Sequence, residues 1–158
     1  MRYALIGLLL LCGCHAVKGQ DPSKPFTGKV VKIADGDTIT VLLDKVQYRI
    51  RLAGIDAPEK KQAFGTQSKK ALGDKIFGKD VKVVWKKRDL YNRIVGDIYL
   101  DSRWINKEMV EEGWAWHYRQ YSKSRDLADA EEAARNARRG LWNDSNPIPP
   151  WEFRKKKK

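Results

Sequence analysis

The sequence predicts a mainly β, α+β fold: a small five-stranded barrel carrying about three helices. Three observations carry this expectation. Five short runs rich in β-branched residues are separated by turn residues. Three other segments show a loose 3.6-residue period, and each stops at a glycine. The chain has 158 residues, 42% of them hydrophobic, enough for one sizeable core and too apolar for a disordered polar chain.

Taken in order, the first strand covers residues 26–33 and ends at the turn Asp35-Gly36. The second covers 37–43, with Thr38, Ile39, Thr40 and Val41 at its start, and a hairpin turn falls near Asp44-Lys45. In 48–53, Tyr48, Ile50 and Leu52 alternate with Arg49 and Arg51, so the arginines share one face of the strand. Ala57-Pro58 breaks the sheet. A helix follows over 61–77, with Phe64, Ala71, Leu72 and Ile76 as its apolar stripe and Gly78 as its stop. Strands at 80–86 and 94–100 form a second pair. A short helix over 104–112 stops at Gly113. A last helix over 124–139 buries Leu127, Ala130, Ala134 and Ala137 and ends at Gly140. Five strands with helices between and after them point to a partly open barrel of OB type.

Outside that barrel the two ends differ. Met1-Arg2-Tyr3 followed by eight apolar residues, 4–11, is a targeting segment too short to span a bilayer as a helix. Leu11-Cys12-Gly13-Cys14 resembles a bacterial lipoprotein box. Residues 1–13 are therefore expected to form a signal peptide, with Cys14 bearing lipid; ordinary cleavage nearby is the alternative. Cys12 occupies a place where that box usually holds a small residue. Both cysteines of the chain lie here, so the exported domain has no internal disulfide. Residues 14–25 read as linker, 26–143 as the barrel domain, and 144–158 as a C-terminal extension. The basic run 154–158 is expected to be disordered. The expected location is outside the cytoplasm, as an envelope lipoprotein or a secreted or periplasmic protein.

Net charge is +12. Such a chain is drawn to polyanions, whether nucleic acid, anionic lipid or acidic polysaccharide, and charge alone does not choose among them.

Chemistry concentrates at strand ends. Asp35-Gly36-Asp37-Thr38 lies between two strands; an Asp-Gly turn is its bland reading. The run from Arg51 through Ala53, Gly54, Ile55, Asp56, Ala57 and Pro58 to Glu59 puts carboxylates where the third strand ends, a place where sites are built on a rigid scaffold. Two aspartates and a glutamate, without cysteine or a usable histidine pair, suit a hard divalent cation such as calcium or magnesium. The alternative for Asp56 and Glu59 is a solvated loop capping the next helix. Tyr91-Asn92-Arg93 sits in the turn between the last two strands, where Arg93 is a second candidate guanidinium.

Together, in this order, these pieces resemble the staphylococcal nuclease family. Gly113-Trp114-Ala115-Trp116, Gly140-Leu141-Trp142 and Pro150-Trp151-Glu152-Phe153-Arg154 extend the likeness, which covers about residues 26–154 and is greatest to the compact bacterial and plasmid-borne branch. The resemblance implies an OB barrel with three helices and a site on its flank. It implies a calcium-dependent, sugar-non-specific endonuclease acting on DNA and RNA, which displaces the 5′-oxygen and leaves 3′-phosphates. Position by position, it makes Asp37 and Asp56 the carboxylates of one calcium ion, with the backbone carbonyl of Ala57 beside them. Glu59 orients or deprotonates the attacking water, and Arg51 and Arg93 grip the phosphate. Two departures stand out. Asn92 replaces the family's usual glycine, and Asn tolerates positive φ. The stretch between Glu59 and the first helix is short.

Around the site, Tyr91 and Tyr118 are candidates to stack on or bond to a nucleotide, as are Tyr121, Trp114 and Trp116. Trp85, Trp104 and Trp142 are assigned to the core, and His117 to a structural or exposed position. Lys87, with Lys82, Lys86 and Arg88, forms a basic edge suited to phosphate contacts, or a solvated strand edge. A monomer is expected, with a membrane contact through Cys14. The rival readings are a non-catalytic OB module that binds nucleic acid and a basic surface protein that binds acidic lipid or polysaccharide. Neither gives Asp37, Arg51, Asp56, Glu59 and Arg93 a task.

Overall fold

The computed structural model describes residues 21–22 and 24–156. The signal peptide, Cys14 and most of the linker lie outside the described residues, as do the last two lysines. No helix among the described residues is long and apolar enough to cross a membrane.

Five strands make the barrel: β1 (Phe26–Asp35), β2 (Thr38–Leu43), β3 (Val46–Leu52), β5 (Asp80–Arg88) and β6 (Ile94–Leu100). Two-residue strands β4 (Ile55–Asp56), β7 (Arg103–Trp104) and β8 (Trp116–His117) are short additions. The order is β3-β2-β1-β5-β6, and β6 returns to pair with β3. That last pairing is parallel, Ile50 to Ile94, Arg51 to Val95 and Leu52 to Gly96, so the barrel is closed and its main edges are gone. The β2–β3 hairpin turns on Asp44 and Lys45, both at positive φ (47° and 67°), the geometry that matches strand twist in a two-residue loop. β1 carries two register shifts, after Val30 and after Ile33, which bend it around the barrel.

The barrel is filled by β-branched and leucine side chains. Val30, Ile39, Val41, Ile50, Val81, Val83, Ile94 and Ile98 are fully buried, each contributing about 1.5–3 kcal/mol by leaving water. The helices are α1 (Gly65–Ile76), α2 (Ile105–Glu111), α3 (Arg125–Asn136) and α4 (Pro150–Lys155), with a 3₁₀ turn at Gly140–Asn143. Leu72 and Ile76 of α1, Met109 and Val110 of α2, and Leu127 and Ala130 of α3 join the barrel core. Ser124 caps α3, its hydroxyl accepting from the Leu127 amide. A second cluster joins Trp116, Ala134, Leu141 and Trp142, with Phe64 and Trp151 packed on it.

The expectation of an OB-type barrel with helices is met, with one helix more than counted. That helix corrects the reading of the C-terminus: the chain is helical through Lys155, where the basic run beginning at Arg154 was expected to be disordered. Pro150 at the first helical position presets φ and needs no amide partner, and Trp151 holds the helix against the second cluster.

Candidate active site

The β3–β6 seam, the turn after β1 and the segment after β3 meet at one place on the barrel. Asp37 lies in the turn between β1 and β2. Gly36 beside it is required by crowding: a Cβ there would lie 1.8 Å from the Ser68 hydroxyl oxygen of α1. Asp56 lies in β4, paired with Trp116 of β8, and Gly54 before it takes positive φ (74°) to turn the chain out of β3. Asn106 of α2 fixes this departure point. Its amide donates to the Ala53 carbonyl at 2.9 Å while its oxygen accepts from the Ile98 amide at 2.9 Å.

Arg51 is the hub. One terminal nitrogen lies 3.0 Å from Asp37 Oδ2 and donates to the carbonyls of Ile55 (2.9 Å) and Leu52 (3.2 Å). The other donates to Asp56 Oδ1 at 2.8 Å. The side chains of Asp37 and Asp56 are 8% and 1% exposed, and that of Arg51 14%, so two buried carboxylates share the Arg51 guanidinium. The Ala57 amide donates to Asp37 Oδ2 at 2.7 Å and the Thr38 hydroxyl to Oδ1 at 3.0 Å. Burial, opposed by the Arg154 hydrogen bond and reinforced by Asp37, holds the Asp56 carboxyl above the usual aspartate range. Burial and the neighbouring Asp37 carboxylate also push Asp35 up to about 7.

Glu59 stands at the mouth, its side chain 41% exposed. Its amide donates to Gln62 Oε1 at 3.1 Å and its carbonyl accepts from the Gln62 amide at 2.8 Å, which makes the loop before α1 a tight closed turn.

Five of the expected site residues are thus brought together: Asp37, Arg51, Asp56, Ala57 and Glu59. Arg93 is on β6's entry turn beside β3, and its ionic partner is Asp89, at 2.7 Å from Nε. Tyr91 is 78% exposed on the same turn, its ring 5.5 Å from the Arg93 guanidinium. Asn92 does hold positive φ (58°). Lys87 is exposed on β5, and neighbouring Lys86 pairs with Asp97. Tyr118 lies nearer the carboxylates; burial and Asp56 push its hydroxyl up. Trp116 is a correction: it is buried in the second cluster, edge-on to Trp142 at 4.3 Å, and cannot offer a face to a nucleotide. His117 is buried, as a structural residue; its Nε2 faces the Ser122 carbonyl at 3.1 Å.

Two site residues escaped the sequence reading. Asp35 belongs to the acidic cluster, accepting from the Asp37 amide at 3.3 Å; its i, i+2 spacing from Asp37 was the available signal. Arg154 reaches in from α4. One of its nitrogens donates to Glu59 Oε1 (2.8 Å) and Asp56 Oδ1 (3.2 Å), the other to Asp56 Oδ2 (2.8 Å).

No group of three His, Cys, Asp or Glu side chains among the described residues stands as a ready-made ion site, because arginines lie between the carboxylates. The donor chemistry nonetheless fits a hard dication. Asp37 and Asp56 are oxygen donors on rigid strand ends.

Comparison with known proteins agrees with this geometry. Residues 49–144 match the family model described as staphylococcal nuclease homologue. An uncharacterized endonuclease of Haemophilus influenzae is 46% identical over 133 residues, which cover 84% of this chain and 75% of that protein. A micrococcal nuclease of Shigella flexneri is 43% identical over 144 residues, 84% of this chain and 83% of the relative. An uncharacterized endonuclease of Escherichia coli is 44% identical, covering 82% and 86%.

Proposed function

This chain belongs to the staphylococcal nuclease family of hydrolases, and we propose that it is a calcium-dependent, sugar-non-specific endonuclease that cleaves both DNA and RNA and leaves 3′-phosphates. The observation that carries this reading is the Arg51 hub, with two buried carboxylates on one guanidinium and Glu59 at the mouth.

In this reading Asp37 and Asp56, with the Ala57 carbonyl, would hold one calcium ion, which would supply neutralising charge for a phosphate oxygen. Two backbone carbonyls and two carboxylates fix the plane of Arg51 in the free protein, and its donors to the carboxylates would pass to the incoming phosphate. A planar fork held this way suits the equatorial oxygens of a phosphodiester as charge grows on them, and losing it costs on the order of 10²–10³ in rate. Glu59, exposed and held by its turn, orients the attacking water or takes its proton, worth about 10²–10⁴. Arg93 supplies a second guanidinium from the β5–β6 turn, Tyr91 and Tyr118 contact the nucleotide, and Lys87 contacts flanking phosphate. Export through residues 1–13, with lipid on Cys14, places the activity outside the cytoplasm; the apolar run 4–11 and the Leu11–Cys14 box support it.

The test is digestion of plasmid DNA and of RNA with calcium, with magnesium and with chelator, followed by analysis of product ends. Calcium-dependent loss of both substrates to 3′-phosphate ends is the expected result. Salt-sensitive binding with no cleavage under any metal would replace the enzyme with an OB binding module.

A further inference from the structure

We propose that Arg154 is a substrate-binding residue that contacts the phosphodiester at this site. The inference rests on reading the carboxylate cluster as the phosphodiester site.

Asp35, Asp37, Asp56 and Glu59 place four carboxyl groups where a polyanion must dock. Arg51 is nearly buried and its nitrogens are already taken up by carbonyls and carboxylates. Arg93 is held by Asp89. Arg154 differs from both. Its guanidinium touches Asp56 and Glu59 while its side chain stays 42% exposed, so it is a cation at this mouth open to an incoming phosphate.

The position is built. The Trp151 ring lies parallel to Tyr118 (2° between planes, centroids 5.2 Å apart) and edge-on to Trp116 at 5.6 Å. The Ile148 carbonyl accepts from Gln62, the residue that also holds the Glu59 turn, at 2.6 Å. These contacts fix the start of α4, and one turn later Arg154 faces the cluster. A guanidinium presents its donors in a fork that suits a phosphate as well as a carboxylate. The free protein holds that fork on Asp56 and Glu59, and a phosphodiester entering beside Glu59 takes up its exposed donors.

The experiment measures binding of a short fluorescein-labelled DNA duplex, in calcium, to the Glu59→Gln protein with and without Arg154→Gln. Affinity is read across a series of salt concentrations. Loss of a phosphate contact weakens binding about tenfold or more at low salt and lowers the slope of log K against log salt by about 0.9. Arg154→Lys keeps the slope and recovers only part of the affinity. Trp151→Ala, which undocks α4, reproduces the Arg154→Gln slope. In the otherwise wild-type protein, Arg154→Gln raises KM more than it lowers kcat. An unchanged slope with a fall in kcat alone would overturn the proposal and leave Arg154 as a positioning residue for Glu59. If Glu59→Gln by itself leaves cleavage intact, the reading of the site fails instead.

Discussion

Replacing Arg51 with methionine tests whether the buried centre is held together by one guanidinium. The substitution keeps an unbranched apolar stem and removes the guanidinium with its charge. It leaves Asp37 and Asp56, 8% and 1% exposed, facing each other without the cation between them. An exposed pair would lose about 0–1 kcal/mol; one partner taken from a buried pair costs about 3–5 kcal/mol. The larger range applies here, and it is a sizeable part of the roughly 5–15 kcal/mol that holds a domain folded. Arg154 still covers Asp56, so Asp37 becomes the poorest-compensated carboxylate. Asp37→Asn in the Arg51→Met background should therefore recover about 1–3 kcal/mol, because the amide oxygen still accepts from Ala57 while the charge is gone. Urea unfolding in chelator reads both, as a shift of the midpoint at constant m. A loss under about 1 kcal/mol, or no coupling between the two positions, would refute the picture of a charge-compensated core.

Two further expectations follow from the backbone and from the buried imidazole. Asn92 holds φ of 58° in the β5–β6 turn, so Asn92→Gly should be near neutral while Asn92→Ala costs about 1 kcal/mol, both measured by urea midpoint. His117 is pushed below its usual range, chiefly by burial and then by Arg119, so folding favours its neutral form. The wild type should then lose stability relative to His117→Gln as pH falls from about 6.5 through the folded pKa, with no change in the difference at higher pH; a flat difference across that window would contradict it.

Much of this molecule could be read from its residues, for physical reasons that differ by region. β2 and β3 were legible because alternation puts Ile39, Val41 and Ile50 inside while Arg49 points out. The Asp37, Arg51 and Asp56 constellation was legible through the family resemblance, position along the strands alone leaving an Asp-Gly turn and a solvated loop as alternatives. Barrel closure was not, since parallel pairing of β3 with β6 leaves no local mark. Arg154 was hidden for the same reason. Five consecutive basic residues read as a solvated tail, and contacts with residues distant in sequence, Trp151 on Tyr118 and Arg154 on Asp56 and Glu59, dock the first of them. The Asp89–Arg93 pair, by contrast, had a local signal in its i, i+4 spacing.

Glu59→Gln measured against wild type in calcium, with duplex DNA as substrate and folding checked by urea midpoint, tests the central claim most directly. The side chain is half-exposed, so stability should change little while kcat falls by about 10²–10⁴. Full activity in the folded variant would place the hydrolytic centre elsewhere than at the Arg51 cluster.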